Sequence, residues 1–260
     1  MTKLGVNIDH IAVLREARKI NDPDPVDALG VLKIAGADQV TIHLREDRRH
    51  IHDEDAARIV QSSALPVNLE CSVDPEIIDV ICRLRPHRAT LVPEKREEVT
   101  TEGGLDIFTY EDRVLQAIDR LQKEEIEISL FIDPDLETIT RADAMGVEWI
   151  ELHTGTYANI EGMLYSNLSR THHAIVDLDL PRHTLKTRLE ESLAALRGAA
   201  DHAASLGLKV AAGHGLNYRN VQSVARIDAV EELNIGQSII ARGLFTGLQR
   251  AIEDMKALLA

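Results

Sequence analysis

Short runs of alternating apolar and polar residues recur along the chain. Between them lie longer stretches whose apolar residues return every three or four positions. The short runs predict strands over 3–9, 39–44, 66–72, 88–93, 127–133, 148–154, 209–213 and 232–236. The longer stretches predict helices, among them VDALGVLKIAGA, DEDAARIVQSS, PEIIDVICRL, YEDRVLQAIDRLQKEE and LETITRADAMG. Three more follow: LKTRLEESLAALRGAADHAASLG, NYRNVQSVARI and QSIIARGLFTGLQRAIEDMKALLA. Gly36, Gly146 and Gly207 stand where helices close in the left-handed region, which glycine enters without a Cβ penalty. Eight strand–helix pairs in one composition regime predict a single (β/α)8 TIM barrel spanning 1–260. An open doubly wound sheet is disfavoured by the strand count and by the lack of a GxGxxG after the first strand.

Two connections are long. After the fourth strand, 94–106 is polar and carries Thr100, Thr101, Gly103 and Gly104, which suits a lid over the barrel mouth. After the sixth strand, 156–185 reads as a loop insertion that elaborates the sixth loop.

Composition narrows the field of functions. Aromatic residues are 3% of the chain, so the core must be aliphatic. A net charge of −14 argues against nucleic acid or an anionic membrane as partner, while leaving room for a local basic pocket. Cys71 and Cys82 fit no metal or CxxC spacing and read as thiols of a reducing compartment. No signal peptide pattern or apolar run of about 18 residues is present, so the expected location is the cytoplasm.

In this fold the chemistry gathers where strands end, because the βα loops converge there. Asn7, Asp9 and His10 follow the first strand, and His43 and Arg45 the second. Glu70, Glu94 and Asp133 stand at the third, fourth and fifth ends. Glu151 with His153, then His214, then Asn234 complete the ring. Alternation turns Glu70 and Asn68 into the barrel, where a crowded carboxylate is tuned as a base. His214 lies between Gly213 and Gly215, where the chain can turn sharply and expose the ring. A metal held by His43, His153 and His214 is disfavoured, since no HxH opens the first strand.

Two anion sites are expected. Gly236 precedes a helix N-terminus beside the Gly213-His214-Gly215 loop, the usual phosphate cradle of this fold. The second site is the basic cluster after strand two, although Arg48 and Arg49 there read as solvated loop. Two anion sites around several acid–base groups suggest one bisphosphate or two phosphorylated substrates.

GVNIDHIA, HLREDRRHI, VPEKREEVTTEGGLD, SLFID, IELHTG, SLGLKVAAGHGLNY and ELNIGQSII occur in this order from residue 5 to the last helix. Together they resemble the pyridoxine 5′-phosphate synthase family. The resemblance implies a (β/α)8 homo-octamer that needs no metal or organic cofactor. Such an enzyme joins 1-deoxy-D-xylulose 5-phosphate to 3-amino-2-oxopropyl phosphate, giving pyridoxine 5′-phosphate, inorganic phosphate and water. It further implies His43 and Glu70 as proton acceptors, His214 as proton donor and Glu151 as transition-state stabiliser. Asn7 and Arg18 match ligands of the amino ketone phosphate. Asp9, His10, Arg45, His50 and Thr100 match ligands of the deoxyxylulose phosphate. Gly215, Gly236 and Gln237 match the cradle of the phosphate kept in the product. Gln237 stands where the family pattern has histidine, and the stretch after HTGTY is longer than that pattern.

Two other readings compete. One is a different phosphate-binding lyase or isomerase of this fold. Its Schiff-base form needs a lysine inside a strand, whereas Lys3 and Lys209 only begin strands and Lys95 lies in the candidate lid. The other is a barrel used for binding or scaffolding, which has no need of ionisable residues at nearly every strand end.

Overall fold

The computed structural model describes residues 2–94 and 103–260. Eight parallel strands close in chain order into a barrel: β1 (Lys3–Asn7), β2 (Gln39–His43), β3 (Val67–Cys71), β4 (Arg88–Leu91), β5 (Glu127–Ile132), β6 (Trp149–His153), β7 (Lys209–Gly213) and β8 (Glu232–Ile235). The helices of the first half are α1 (Asp9–Glu16), α2 (Ala28–Ile34), α3 (Asp53–Ser62), α4 (Pro75–Leu84) and α5 (Glu111–Lys123). Those of the second are α6 (Leu136–Ala144), α7 (Gly155–Tyr165), α8 (Arg182–Leu206), α9 (Val221–Ala225), α10 (Gln237–Thr246) and α11 (Leu248–Leu258).

The pleat sends successive side chains to opposite faces of each strand. The outward set is aliphatic: Leu4, Val6, Val40, Ile42, Ile150 and Leu152 are all 0% exposed and join the helix faces in one core. Burial of each such side chain stabilises by about 1.5–3 kcal/mol. On α4 the matching face is Ile77, Ile78 and Ile81, and Asp74 caps the helix by accepting the Glu76 and Ile77 amides. Loss of such a cap costs about 1 kcal/mol.

Apart from Phe131, Trp149 and Ala211, the inward side chains are largely polar, where barrels of this kind ordinarily use branched aliphatics. Arg88 of β4 reaches across to pair with Glu232 of β8, and Gln39 Oε1 accepts from the same guanidinium at 2.6 Å. Gln39 Nε2 donates to Glu232 Oε1 at 2.9 Å. Higher in the barrel, Thr41 Oγ1 donates to Asn234 Oδ1 at 3.0 Å, and Asn234 Nδ2 donates to Glu151 Oε2 at 2.8 Å. The aliphatic core expected from composition is therefore the shell between strands and helices. The barrel interior is a hydrogen-bonded stack rising to the site.

Some elements depart from the pattern-based expectation. Asp9–Glu16 is helical directly after β1, though it is only eight residues long. The last stretch is two helices, because Gly247 adopts φ 80 and breaks the run between α10 and α11. The segment 156–185 is not loop throughout, since α7 runs to Tyr165. Nearly every side of α7 is buried, so it shows no polar stripe for periodicity to detect. The remainder folds over a small core of its own, Ile160, Met163, Leu164 and Leu185 with Ile175 and Leu178 against them. Most of the candidate lid, including Thr100, lies outside the described residues. Among the described residues no helix is long and apolar enough to cross a membrane.

Candidate active site

A cavity of about 580 Å³ opens at the C-terminal ends of the strands. Among the described residues, those matched to a family role line it except Arg18, whereas the strand-end residues Glu94, Asp133 and His153 stand behind the lining. Arg18 is exposed beyond the end of α1 and is not among the lining residues.

The first two strand ends are locked together by Asp9. Its carboxylate accepts from Asn7 Nδ2 at 2.8 Å and from the His43 amide at 2.9 Å. His43 in turn sits between two carboxyls. Its Nε2 lies 2.8 Å from Glu94 Oε1, and its Nδ1 lies 4.0 Å from Glu70 Oε2. Glu94 Oε2 also accepts the Glu46 amide at 3.0 Å. This pairing assigns the imidazole proton to Nε2, donated to Glu94, and leaves the Nδ1 lone pair facing Glu70. The β2–β3 register pairs His43 with Glu70, so the two reach the same level of the barrel.

Glu70 keeps 18% of its side chain exposed, opening onto the cavity. Burial, followed by the nearby charges of Glu151 and Asp9, holds it well above the ordinary carboxyl range. Glu151 is 2% exposed, and burial pushes it up to about 7 despite the hydrogen bond from Asn234. Room for its head comes from Gly213, where a Cβ would lie 2.3 Å from Glu151 Oε1. Two carboxyls whose pKa values are raised by burial thus face one cavity.

The basic cluster after β2 divides by role. His50 Nδ1 accepts the Ile51 amide at 2.8 Å, which leaves Nε2 as the donor, and burial lowers its pKa. Burial likewise lowers His10. Arg45 is 4% exposed beside Asp47 and Glu94. Arg48 binds Asp53 at 2.7 Å, and His52 precedes α3, its amide donating to Asp55 at 2.9 Å. Arg49 pairs with Asp47 at 2.6 Å yet also lines the cavity, which corrects its reading as solvated loop.

The opposite wall is built by loops seven and eight. His214 sits at φ 83, a region costly for a residue with a Cβ. Burial, then the neighbouring His153, pushes it down to about 4. Ser238 Oγ donates to Leu216 O at 2.9 Å and ties the start of α10 to loop seven. A Cβ on Gly236 would lie 2.9 Å from Asn7 Cβ, so the α10 N-terminus closes directly on β1. Gly236 and Gln237 bring that positive end of the helix to the cavity. His43 and His214 occupy opposite walls: the His214 ring packs 5.0 Å from His153, while the His43 ring faces His50 at 6.2 Å.

Sequence reasoning placed Glu94 and Asn234 at strand ends without giving them work, and it missed Arg15. Arg15 forms a bidentate pair with Asp55 at 2.7 and 2.8 Å and donates to the His50 carbonyl at 2.8 Å. In the sequence it stands in a stretch with no predicted helix, 40 residues from Asp55. Asn234 did carry a signal, since it alternates with Glu232 on an otherwise apolar strand.

Comparison with known proteins bears on this arrangement. A solved phosphoribosyl anthranilate isomerase from Thermococcus kodakaraensis aligns with a TM-score of 0.60 over 100% of this chain and 99% of that one. At 11% identity it shares the fold alone. Closer in sequence are two proteins named pyridoxine 5′-phosphate synthase. The one from Sulfurovum sp. is 67% identical over 256 residues, covering 98% of this chain and 99% of that one. The one from Aliarcobacter butzleri is 62% identical, covering 98% of each. The family model described as pyridoxal phosphate biosynthesis protein PdxJ matches residues 4–260, so this chain belongs to the PdxJ family.

Proposed function

We infer that the chain is a pyridoxine 5′-phosphate synthase. It condenses 1-deoxy-D-xylulose 5-phosphate with 3-amino-2-oxopropyl phosphate to pyridoxine 5′-phosphate, inorganic phosphate and water. The observation that carries the reading is one cavity in which the carboxyls of Glu70 and Glu151 and the imidazoles of His43 and His214 lie between a basic wall and a helix N-terminus. The amine of one substrate attacks the ketone of the other, and loss of water gives an imine. Proton removal, dehydration, loss of phosphate, ring closure and aromatisation follow. Each step moves a proton at a different atom, so several acids and bases must ring one space.

The geometry supports the roles that the family resemblance implies. His43 Nδ1, with its other nitrogen held by Glu94, accepts a proton on the Glu70 side. Glu70 is the second base. Its raised pKa makes it a stronger base once it is ionised, and a phosphate held nearby strengthens that preference for the proton. Glu151, neutral or charged near pH 7, stabilises charge that develops opposite it. His214 is the acid. It is neutral in the empty site, and the negative charge of a bound phosphate favours its imidazolium. Asn7, Asp9, His10, Arg45 and His50 orient the substrates; a ligand role for Arg18 and Thr100 rests on the family resemblance alone, since Arg18 lies off the cavity and Thr100 outside the described residues. The amides of Gly215, Gly236 and Gln237 cradle the retained phosphate, a contact that glutamine supplies as well as histidine. Folding as a homo-octamer in the cytoplasm belongs to the same proposal, and light scattering of the purified chain tests the assembly.

Incubation with both substrates tests the activity, with pyridoxine 5′-phosphate and released phosphate as the readouts. Glu70→Gln is expected to lower kcat by roughly a hundredfold or more while leaving the melting temperature near that of the parent. Formation of no pyridoxine 5′-phosphate by the parent chain sinks the reading, and near-normal turnover by the variant removes Glu70 as an essential base.

A further inference from the structure

Behind His214, outside the roles assigned so far, stand Asp133 at the end of β5 and His153 at the end of β6. His153 Nδ1 lies 2.9 Å from Asp133 Oδ1. The hydrogen bond from His153, with help from the Gly104 amide, holds the Asp133 carboxyl below its ordinary range, so it is an acceptor at neutral pH. A proton on His153 then sits on Nδ1, facing Asp133, and in the singly protonated ring Nε2 turns its lone pair outward. That Nε2 is buried and has no hydrogen-bond partner among the described residues.

The His214 ring is what faces it. The rings stand edge to face, 5.0 Å between centroids and 64° between planes. A Cβ on Gly155 would lie 2.4 Å from His153 Nε2 and 3.2 Å from His214 Cδ2, so both edges border the same small space left by that glycine. A half-turn of the His214 ring exchanges Cδ2 for Nδ1, a choice that hydrogen bonding decides. The backbone beneath is already fixed, since Thr154 Oγ1 donates to the carbonyls of Gly213 at 2.7 Å and His214 at 2.6 Å.

We propose that Asp133 and His153 are positioning residues for His214. Asp133 keeps the proton on His153 Nδ1, His153 Nε2 accepts Nδ1–H of His214, and His214 thereby presents Nε2 to the cavity. An acceptor at that point also favours the imidazolium that an acid must form. The inference rests on His214 as the acid for its catalytic meaning, but the tautomer it predicts does not.

The test is ¹⁵N spectroscopy of the histidine-labelled enzyme at neutral pH, with kinetics on the same samples. His214 resonances are assigned by their loss in His214→Gln. His214 and His153 are both expected as Nδ1–H tautomers in the parent. Asp133→Asn is expected to shift both histidines and to lower kcat by roughly tenfold to a hundredfold, with KM for each substrate within about twofold. His153→Gln, which keeps an acceptor, is expected to retain more kcat than His153→Leu. An Nε2–H tautomer for His214 in the parent overturns the proposal. So does a His214 resonance unmoved by Asp133→Asn, or equal kcat for the two His153 variants. Normal turnover by His214→Gln would instead remove the acid role, and the tautomer result would still decide the pairing.

Discussion

Replacing Arg15 with methionine keeps most of the side-chain stem and removes a charge that is both buried and shared. The guanidinium and the Asp55 carboxylate are 10% and 6% exposed, and two short hydrogen bonds join them. Deleting one member of such a pair leaves the other charged, buried and alone, at a cost of about 3–5 kcal/mol. For a chain of this size that lowers the melting temperature by roughly 10 °C. The same guanidinium holds the His50 carbonyl, so the KM of the substrate whose phosphate meets His50 should rise while kcat changes little. Burial alone would raise Asp55, but the hydrogen bonds from Arg15 and His52 outweigh it, and the carboxyl sits below its ordinary value. Stability tied to a depressed carboxyl is present above its unfolded pKa and is lost as pH falls through the folded one. The gap between parent and variant should therefore narrow in acid, when Asp55 takes up its proton. Thermal melts from pH 3 to pH 8 measure this, and Arg15→Met/Asp55→Leu should recover most of the loss by removing both charges. A loss under about 1 kcal/mol at pH 7 would place the pair with exposed ion pairs and refute the argument.

Two further predictions concern the cavity wall. Gly213→Ala puts a Cβ 2.3 Å from Glu151 Oε1 and 3.1 Å from the Asn234 carbonyl; displacement of the carboxyl by about 1 Å should cost roughly a hundredfold in kcat, and steady-state kinetics within threefold of the parent would contradict it. Glu151→Gln removes a carboxyl pushed up to about 7, whose ionisation penalises the fold as pH rises from the unfolded value through the folded one. The variant should gain up to roughly 3 kcal/mol relative to the parent at pH 8 and far less at pH 5; a pH-independent difference between their melting temperatures would refute this.

Much of the architecture is written in short-range pattern. Most strands of the barrel alternate outward aliphatics with inward polar residues, and Gly36, Gly146 and Gly207 do take positive φ. Strand ends were legible for the same reason, because a polar residue after an aliphatic run in this fold has few places to go but the mouth. What escaped was set by partners far away in sequence. Arg15 finds Asp55 across the gap between α1 and α3, a meeting that no local spacing announces. Arg49 belongs to the cavity because the loop after β2 turns back, with Arg48 at φ 50. The helix α7 is buried nearly all round, so its sequence carries no amphipathic stripe. Arg18 was carried over by resemblance alone, and the fold leaves it exposed, away from the cavity.

The polar stack inside the barrel also constrains how this chain can change over generations. Gln39, Arg88 and Glu232 complete one another's hydrogen bonds, and Asn234 is held by Thr41 before it reaches Glu151. A single replacement at any of them strands a buried partner, so its effect depends on what occupies the other positions. Neutral drift there must proceed by paired or tripled exchanges, while the aliphatic shell outside accepts one residue at a time. Among descendants of this sequence, the interior positions should therefore covary across strands that never touch in the sheet, β4 with β8 above all.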